Sequence, residues 1–220
     1  MIKAKISSVM IILFALGVTT AAAHAAMQDD VDRAISIIER FEEIPEKAIP
    51  PRVLRDARGL AILTMTKAGF ILSGRGGSGV ILARTEHGWS APSAIGTGGI
   101  GVGFQAGVQV SEYVIILNTQ EAVNAFSQGS NVTLGANLSA AVGPVGRSAE
   151  AGAAPQAAIY TYSRSQGIFA GVSLEGTVIA TRYQANEEYY EKPVYVEDIL
   201  TGKIAPPAGA KKLVKVLSKY

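Results

Sequence analysis

Glycine interrupts almost every apolar run between residues 59 and 118. The runs LAILTM, GFILSG and GVILARTE are short and rich in β-forming residues, and VGFQAGVQVSEYVIILN alternates before it becomes continuously apolar. Because glycine has no Cβ, inside or between strands it allows bulges, sharp bends and close approach of a neighbouring backbone. This stretch therefore predicts a sheet of short, glycine-rich strands.

Helical patterns precede and follow this sheet. Residues 29–44 place apolar side chains three and four positions apart, and aspartates at the start suit a helix N-terminus. Residues 50–59 predict a short second helix that begins at proline, and Gly59 is placed to stop it. Residues 119–129 predict a third, with Thr119 as N-cap and Gly129 as stop.

The C-terminal part, from Ala185 on, is predicted to be helical again. Pro206 and Pro207 interrupt it, and the closing helix sets an apolar stripe opposite several lysines. Helices at the N-terminus, the middle and the C-terminus therefore surround many strands, without regular βαβ alternation. The fold class predicted is α+β, a single domain with a largely antiparallel sheet.

The first 25 residues have the features of a secretory signal peptide. Lys3 and Lys5 precede an apolar run at 9–18, and Ala23-His24-Ala25 fits the small-x-small cleavage pattern. The run has about ten residues, against the roughly 20 that a spanning helix needs. We expect a cleaved signal peptide at 1–25, a domain at 30–220, and export to the periplasm, with the extracellular space as the alternative.

Composition excludes several classes of function. The chain has no cysteine, which rules out thiol nucleophiles and cysteine metal sites. Loss of two lysines with the signal leaves 18 basic residues against 18 acidic ones, a balance that does not favour nucleic-acid binding. His87 is then the only histidine, and no G-x-S-x-G motif is present, so we expect no enzyme, no catalytic residues, no metal site and no cofactor. Trp89, the single tryptophan, is interpreted as a packing anchor.

The run SGRGGSG at 73–79 fits G-x-G-x-x-G through Gly74, Gly76 and Gly79. A dinucleotide site needs a helix directly after the last glycine, and VILARTE is not helical in pattern. No P-loop motif is present either, so no nucleotide is expected. The run is interpreted as a bend between short strands, with Arg75 as the member whose side chain can touch a ligand.

Longer ordered motifs carry a resemblance to a known family. They are GLAILTMTKAGFILSGRGGSGVILAR, WSAPSAIGTGGIGVGFQAGVQVSEYVIILN, AVNAF, NVTLGANLSAAVGPVGR, AIYTYSRSQGIFAGVSLEG and YVEDILTG. In these segments the chain resembles the SYLF domain family from about Asp30 to the C-terminus, and the signal peptide makes it resemble an exported bacterial member of that family. The resemblance implies binding of phospholipids, notably phosphoinositides, binding of actin filaments in some fungal relatives, and no enzymatic activity.

In eukaryotic relatives a basic amphipathic helix carries much of the lipid contact, but here residues 29–44 are acidic. Basic residues elsewhere are the predicted lipid contacts: Arg52, Arg55, Arg58, Lys67, Arg75, Lys211, Lys212 and Lys215. The main prediction is an exported module that binds anionic phospholipid at a membrane surface. The alternative is a protein-interaction scaffold of the actin-binding type, with actin or another protein as partner, and an unrecognised hydrolase ranks last. The C-terminal helix has a second interpretation that competes with lipid contact: its apolar stripe docks on the core and its lysines are only solvated.

Overall fold

The structure, a computed structural model, describes residues 26–43, 48–69, 72–102, 107–129, 131–134, 139–142, 157–167 and 177–220. The signal peptide predicted at 1–25 lies outside these ranges. Within them, no helix has both the length and the apolar character needed to cross a membrane.

The strands form one sheet in the order β6-β9-β4-β2-β1-β5-β8-β7, with β3 paired to β2. Every pairing is antiparallel except that of β7 with β8, which confirms the predicted largely antiparallel sheet. The strands are β1 (Gly59–Gly69), β2 (Leu72–Thr85), β3 (Gly88–Trp89), β4 (Ser93–Val102), β5 (Gly107–Leu117), β6 (Val132–Thr133), β7 (Ala140–Val142), β8 (Ile159–Gly167) and β9 (Val178–Thr181).

Helices occupy the three predicted regions, which confirms the α+β class. Residues 26–42 are helical and are called α1. The others are α2 (Pro51–Asp56), α3 (Gln120–Ser127), α4 (Tyr183–Tyr190), α5 (Val196–Leu200), a 3-10 turn (Ala208–Ala210) and α6 (Lys211–Leu217).

Local sequence signals set the ends of α3 as predicted. The Thr119 hydroxyl accepts a hydrogen bond from the Ala122 amide at 3.2 Å, and Gly129 has φ of +65°. Gly59 was predicted to stop α2 and does not. Helix α2 ends at Asp56, and Gly59 is the first residue of β1, where an added Cβ would lie 3.0 Å from the Leu82 carbonyl oxygen.

The SGRGGSG run is not a bend between two short strands, and that prediction is wrong. Strand β2 continues through it for 14 residues and pairs with β1 and β4 on both sides. The reason for glycine is close approach of a neighbour: an added Cβ would lie 2.6 Å from the Thr64 carbonyl oxygen at Gly77 and 2.1 Å from that of Ile62 at Gly79. The backbones of β1 and β2 therefore close toward each other on this face of the sheet.

The sheet is curled, and side chains alternate between its two faces. We call the face of Gly77 and Gly79 the concave face, because side chains from strands near opposite edges, Ile159 of β8 and Ile179 of β9, meet there in one cluster. Helices α3 and α5 close it with Phe126 and Ile199. The opposite, convex face carries a second cluster that packs under α1, α4 and α6, with sheet side chains Leu60, Ile62, Val80, Leu82, Val114 and Ile116.

Candidate functional site

Helix α1 is attached to the convex face by a buried carboxylate near its start. Asp30 is 1% exposed and accepts hydrogen bonds from Arg182 and from the Ser78 hydroxyl, both at 2.7 Å. Arg33, one turn further along α1, pairs with the same carboxylate. Gly96 makes this possible, because an added Cβ there would lie 3.0 Å from the Arg182 side chain.

A second ion pair attaches α1 near its end. Arg40 donates to Glu112 of β5 with an Nε–Oε2 distance of 3.1 Å, and Arg164 of β8 donates to the Arg40 carbonyl oxygen at 3.0 Å. Between the two attachments the apolar stripe of α1 lies inside the convex cluster. The outward surface of α1 is consequently acidic, with exposed Asp29, Asp32, Glu39, Glu42 and Glu43 beside Arg33. We call it the acidic face.

Trp89 joins the C-terminal ends of α2 and α6. Its side chain is 5% exposed, and its indole N–H donates to the Leu217 carbonyl oxygen at 3.0 Å. The Arg84 guanidinium lies over the ring, 4.1 Å from its centre, and donates to the carbonyl oxygens of Leu54 and Arg55 at 3.2 and 3.3 Å. Both helix ends thus have carbonyls satisfied by one stacked pair, and Trp89 is the packing anchor that the sequence predicts.

This joint brings together the C-terminal ends of two helices that carry predicted basic residues. On α6, Leu213 and Leu217 are buried in the convex cluster, so the helix is docked and its lysines face solvent. On α2, Arg52 and Arg55 are exposed and share Asp56 at 3.4 and 3.9 Å. We call the exposed cations of these two helices the α2–α6 basic surface: Arg52, Arg55, Lys211, Lys212 and Lys215.

Arg58 follows α2 and lies in a different setting. It lines an open cleft of about 860 Å³ between the ends of β1 and β2 and helices α3 and α5. The cleft also holds His87, Asn124 and Glu197, so its charges are mixed and its polar groups are exposed. His87 has no carboxylate bonded to it in the described part of the chain, and the cleft shows no nucleophile–base pair there.

Lys67 and Arg75 lie away from the basic surface, toward the other end of β1 and β2. They are directly opposite each other in the pairing of these strands, on the concave face, and both are half-buried. The structure therefore divides the eight predicted contacts among three places. Sequence reasoning missed the polar residues that surround Lys67 and Arg75, although the alternation in VQVSEYV places Gln109, Ser111 and Tyr113 on one face.

Comparison with known proteins agrees with these motifs. Residues 98–220 match the model of the Ysc84 family, described as "Las17-binding protein actin regulator". The chain is 46% identical over 202 residues to "SH3 domain-containing YSC84-like protein 1" of Bos taurus and of Homo sapiens, a match that covers 88% of this chain and 59% of each relative. It is 50% identical over 177 residues to "LAS seventeen-binding protein 3" of Saccharomyces cerevisiae, covering 78% of this chain and 39% of that protein. The chain thus spans less than two thirds of the length of these relatives. It belongs to the Ysc84 family, the SYLF-domain family that its motifs indicate.

Proposed function

We propose that the chain is a non-enzymatic protein-interaction module of the actin-regulatory type. The observation that supports this most directly is the match of residues 98–220 to a family described as a Las17-binding actin regulator. The yeast relative, 50% identical over 177 residues, also carries Las17 binding in its name. These findings favour the interaction module, which the sequence analysis places second, over phospholipid binding.

The α2–α6 basic surface is the part of the molecule that best fits a protein partner with an acidic surface. Its lysines belong to α6, which Leu213 and Leu217 dock on the core, so the helix holds them in fixed positions. Lys211, Lys212 and Lys215 make no ion pair within the described residues, and only Asp56 reduces the charge of the neighbouring arginines. Complementary charge on a partner would steer association and fix its orientation.

Reversal of two charges on this surface is expected to weaken partner binding. The double variant Lys211→Glu/Lys215→Glu should reduce affinity on the order of tenfold at low salt, because a surface charge pair contributes a fraction of a kcal/mol to about 1 kcal/mol and reversal adds repulsion. The measurement is co-pelleting with actin filaments in parallel with capture by immobilised Las17. Lys192→Glu/Lys203→Glu changes the net charge equally at two exposed lysines outside the surface, and it should bind like the wild type. Absence of the wild-type protein from both pellet and captured fraction rejects the proposal.

Phospholipid binding is the second candidate, and the same surface favours it. Each basic residue close to an anionic leaflet contributes about 1 kcal/mol. The apolar stripes of α1 and α6 lie in the core, so a membrane would meet only charged and polar groups of these helices. Binding is therefore expected to be electrostatic. It would take place outside the cytoplasm if residues 1–25 direct export as predicted.

Salt dependence distinguishes this kind of lipid binding from apolar insertion. Co-sedimentation with vesicles of anionic phospholipid is expected at about 0.1 M salt, where the Debye length is about 10 Å. It should be lost at about 1 M salt, where that length falls to about 3 Å, and absent with neutral vesicles at either concentration. Retention at high salt would show that apolar side chains enter the bilayer and would contradict the docked helices. Equal absence from anionic and neutral pellets at low salt removes the candidate.

A further inference from the structure

The cleft between α3, α5 and the ends of β1 and β2 has walls that the fold holds in place. Its volume of about 860 Å³ lies within the range of about 300–1,000 Å³ that is common for ligand sites. Phe126 of α3 and Ile199 of α5 fix the two helices to the concave cluster. Gly202, which follows α5 with φ of +81°, lies against Thr85 of β2, since an added Cβ would be 3.2 Å from the Thr85 methyl group. The cleft is therefore formed before any ligand enters it.

One wall of the cleft is a row of side-chain amides on α3. Gln120, Asn124 and Gln128 follow each other at intervals of four residues, so they lie along one side of the helix, and all three line the cleft. The Gln120 amide group donates to the Asn124 carbonyl oxygen at 3.0 Å. This bond leaves the Gln120 carbonyl oxygen, the Asn124 amino group and the whole Gln128 amide without a partner among the described residues. The row therefore offers both acceptors and donors to a ligand.

The spacing of these amides matches the backbone of an extended peptide. Four residues of an α-helix rise by about 6 Å. In an extended chain the peptide groups that face the same side repeat every two residues, a distance of about 6.6 Å. An amide side chain bonds such a backbone both as donor and as acceptor. A helical ligand does not fit this row, because a helix uses its own N–H and C=O groups internally.

The cleft also has an apolar floor and charges of both signs. The buried side chains of Ala83, Val123 and Leu200 line it, so they form its floor. Arg58 and Glu86 line it as well, and both are exposed and form no ion pair within the described part of the chain. A peptide with one acidic and one basic side chain complements these two charges, and an apolar side chain between them can cover the floor.

We propose that this cleft binds a short extended segment of a partner protein. The amides of Gln120, Asn124 and Gln128 bond one edge of its backbone, an acidic side chain of the segment meets Arg58, and a basic one meets Glu86. The amide row rises by about 12 Å, which corresponds to about four residues of extended chain. The inference goes beyond the proposed function, because it concerns a linear segment and a place other than the α2–α6 basic surface.

The test uses peptides from a display library of random nonapeptides, selected on the immobilised wild-type protein, synthesised with blocked ends and titrated by fluorescence anisotropy. Among them we expect peptides whose binding Asn124→Ala/Gln128→Ala weakens about tenfold, because hydrogen bonds to the peptide backbone are lost. Alanine is the best helix former, so α3 stays folded in this variant. Asn131→Ala removes an exposed amide outside the cleft, and Lys211→Glu/Lys215→Glu changes the α2–α6 basic surface. Both of these variants should bind the same peptides like the wild type.

Charge recognition has a readout of its own. Arg58→Gln should weaken binding of a peptide that carries an acidic residue by about threefold, as expected for an exposed ion pair. Replacement of that acidic residue by its amide should abolish the difference between Arg58→Gln and the wild type. An equal effect of Arg58→Gln on both peptides would overturn the contact assigned to Arg58.

A scan of such a peptide with N-methyl groups tests the extended backbone directly. Only alternate peptide groups of an extended chain face α3, so N-methylation should weaken binding about tenfold at every second interior position and little at the positions between them. Loss at every interior position would identify a helical ligand, and loss at none would identify recognition by side chains alone. Either result overturns the proposal, as does a selection that yields no peptide weakened by Asn124→Ala/Gln128→Ala.

Discussion

Gly79→Ala is expected to destabilise the protein by about 4 kcal/mol or more, at the extreme of single-substitution effects. The added Cβ would lie 2.1 Å from the Ile62 carbonyl oxygen and 2.5 Å from the Leu63 Cα. Both are backbone atoms of the paired strand, so no side-chain rotation relieves the contact and β1 must move away from β2. Urea denaturation followed by circular dichroism measures the change in the free energy of unfolding.

Gly76→Ala is the matched control for that experiment. Gly76 lies in the same strand on the convex face, and nothing lies within 4 Å of an added Cβ. Its free energy of unfolding should stay within about 0.5 kcal/mol of the wild type, as for other exposed positions. Similar stabilities for Gly79→Ala and Gly76→Ala would show that β1 and β2 do not approach closely on the concave face.

Asp30→Asn is expected to cost about 2–3 kcal/mol and to loosen α1 from the sheet. Removal of one partner of a buried ion pair costs about 3–5 kcal/mol when the other charge stays buried. Here the Arg182 and Arg33 side chains are 33% and 48% exposed and regain water, which lowers the cost. Amide hydrogen exchange measures the local effect, which we expect to be faster exchange along α1 than in β1.

Asp29→Asn controls for the loss of one negative charge from the same helix turn. Asp29 is exposed, and substitution should change the free energy of unfolding by less than about 0.5 kcal/mol. Exchange in α1 as slow for Asp30→Asn as for Asp29→Asn would mean that the apolar stripe alone holds the helix.

Features that depend on neighbours in sequence could be predicted, and those that depend on neighbours in space could not. The hydroxyl of Thr119 caps a helix that begins at the next residue, so its role is readable from the sequence alone. Gly79 has the same local sequence context as a turn glycine. Its actual role depends on β1, which the fold brings against it.

The candidate site shows the same division. The sequence does not distinguish Asp29 from Asp30, since both are aspartates at a helix start. In the structure Asp29 is exposed, whereas Asp30 is buried against Ser78 and Arg182, which come from distant parts of the chain. Lys67 and Arg75 were predicted separately as basic contacts. Their direct opposition follows from the pairing of β1 with β2, and no spacing rule gives that pairing from the intervening residues, which include Gly69 and Gly74.

The stacked Trp89–Arg84 pair gives the protein an intrinsic fluorescent probe. Trp89 is the single tryptophan of the chain, so all indole fluorescence comes from the point where α2 and α6 meet. Emission wavelength and quenching by solutes therefore report the opening of this joint between α2 and α6, without a label. A change of this signal on addition of a partner without tryptophan shows that binding alters the joint that holds α2 and α6 together.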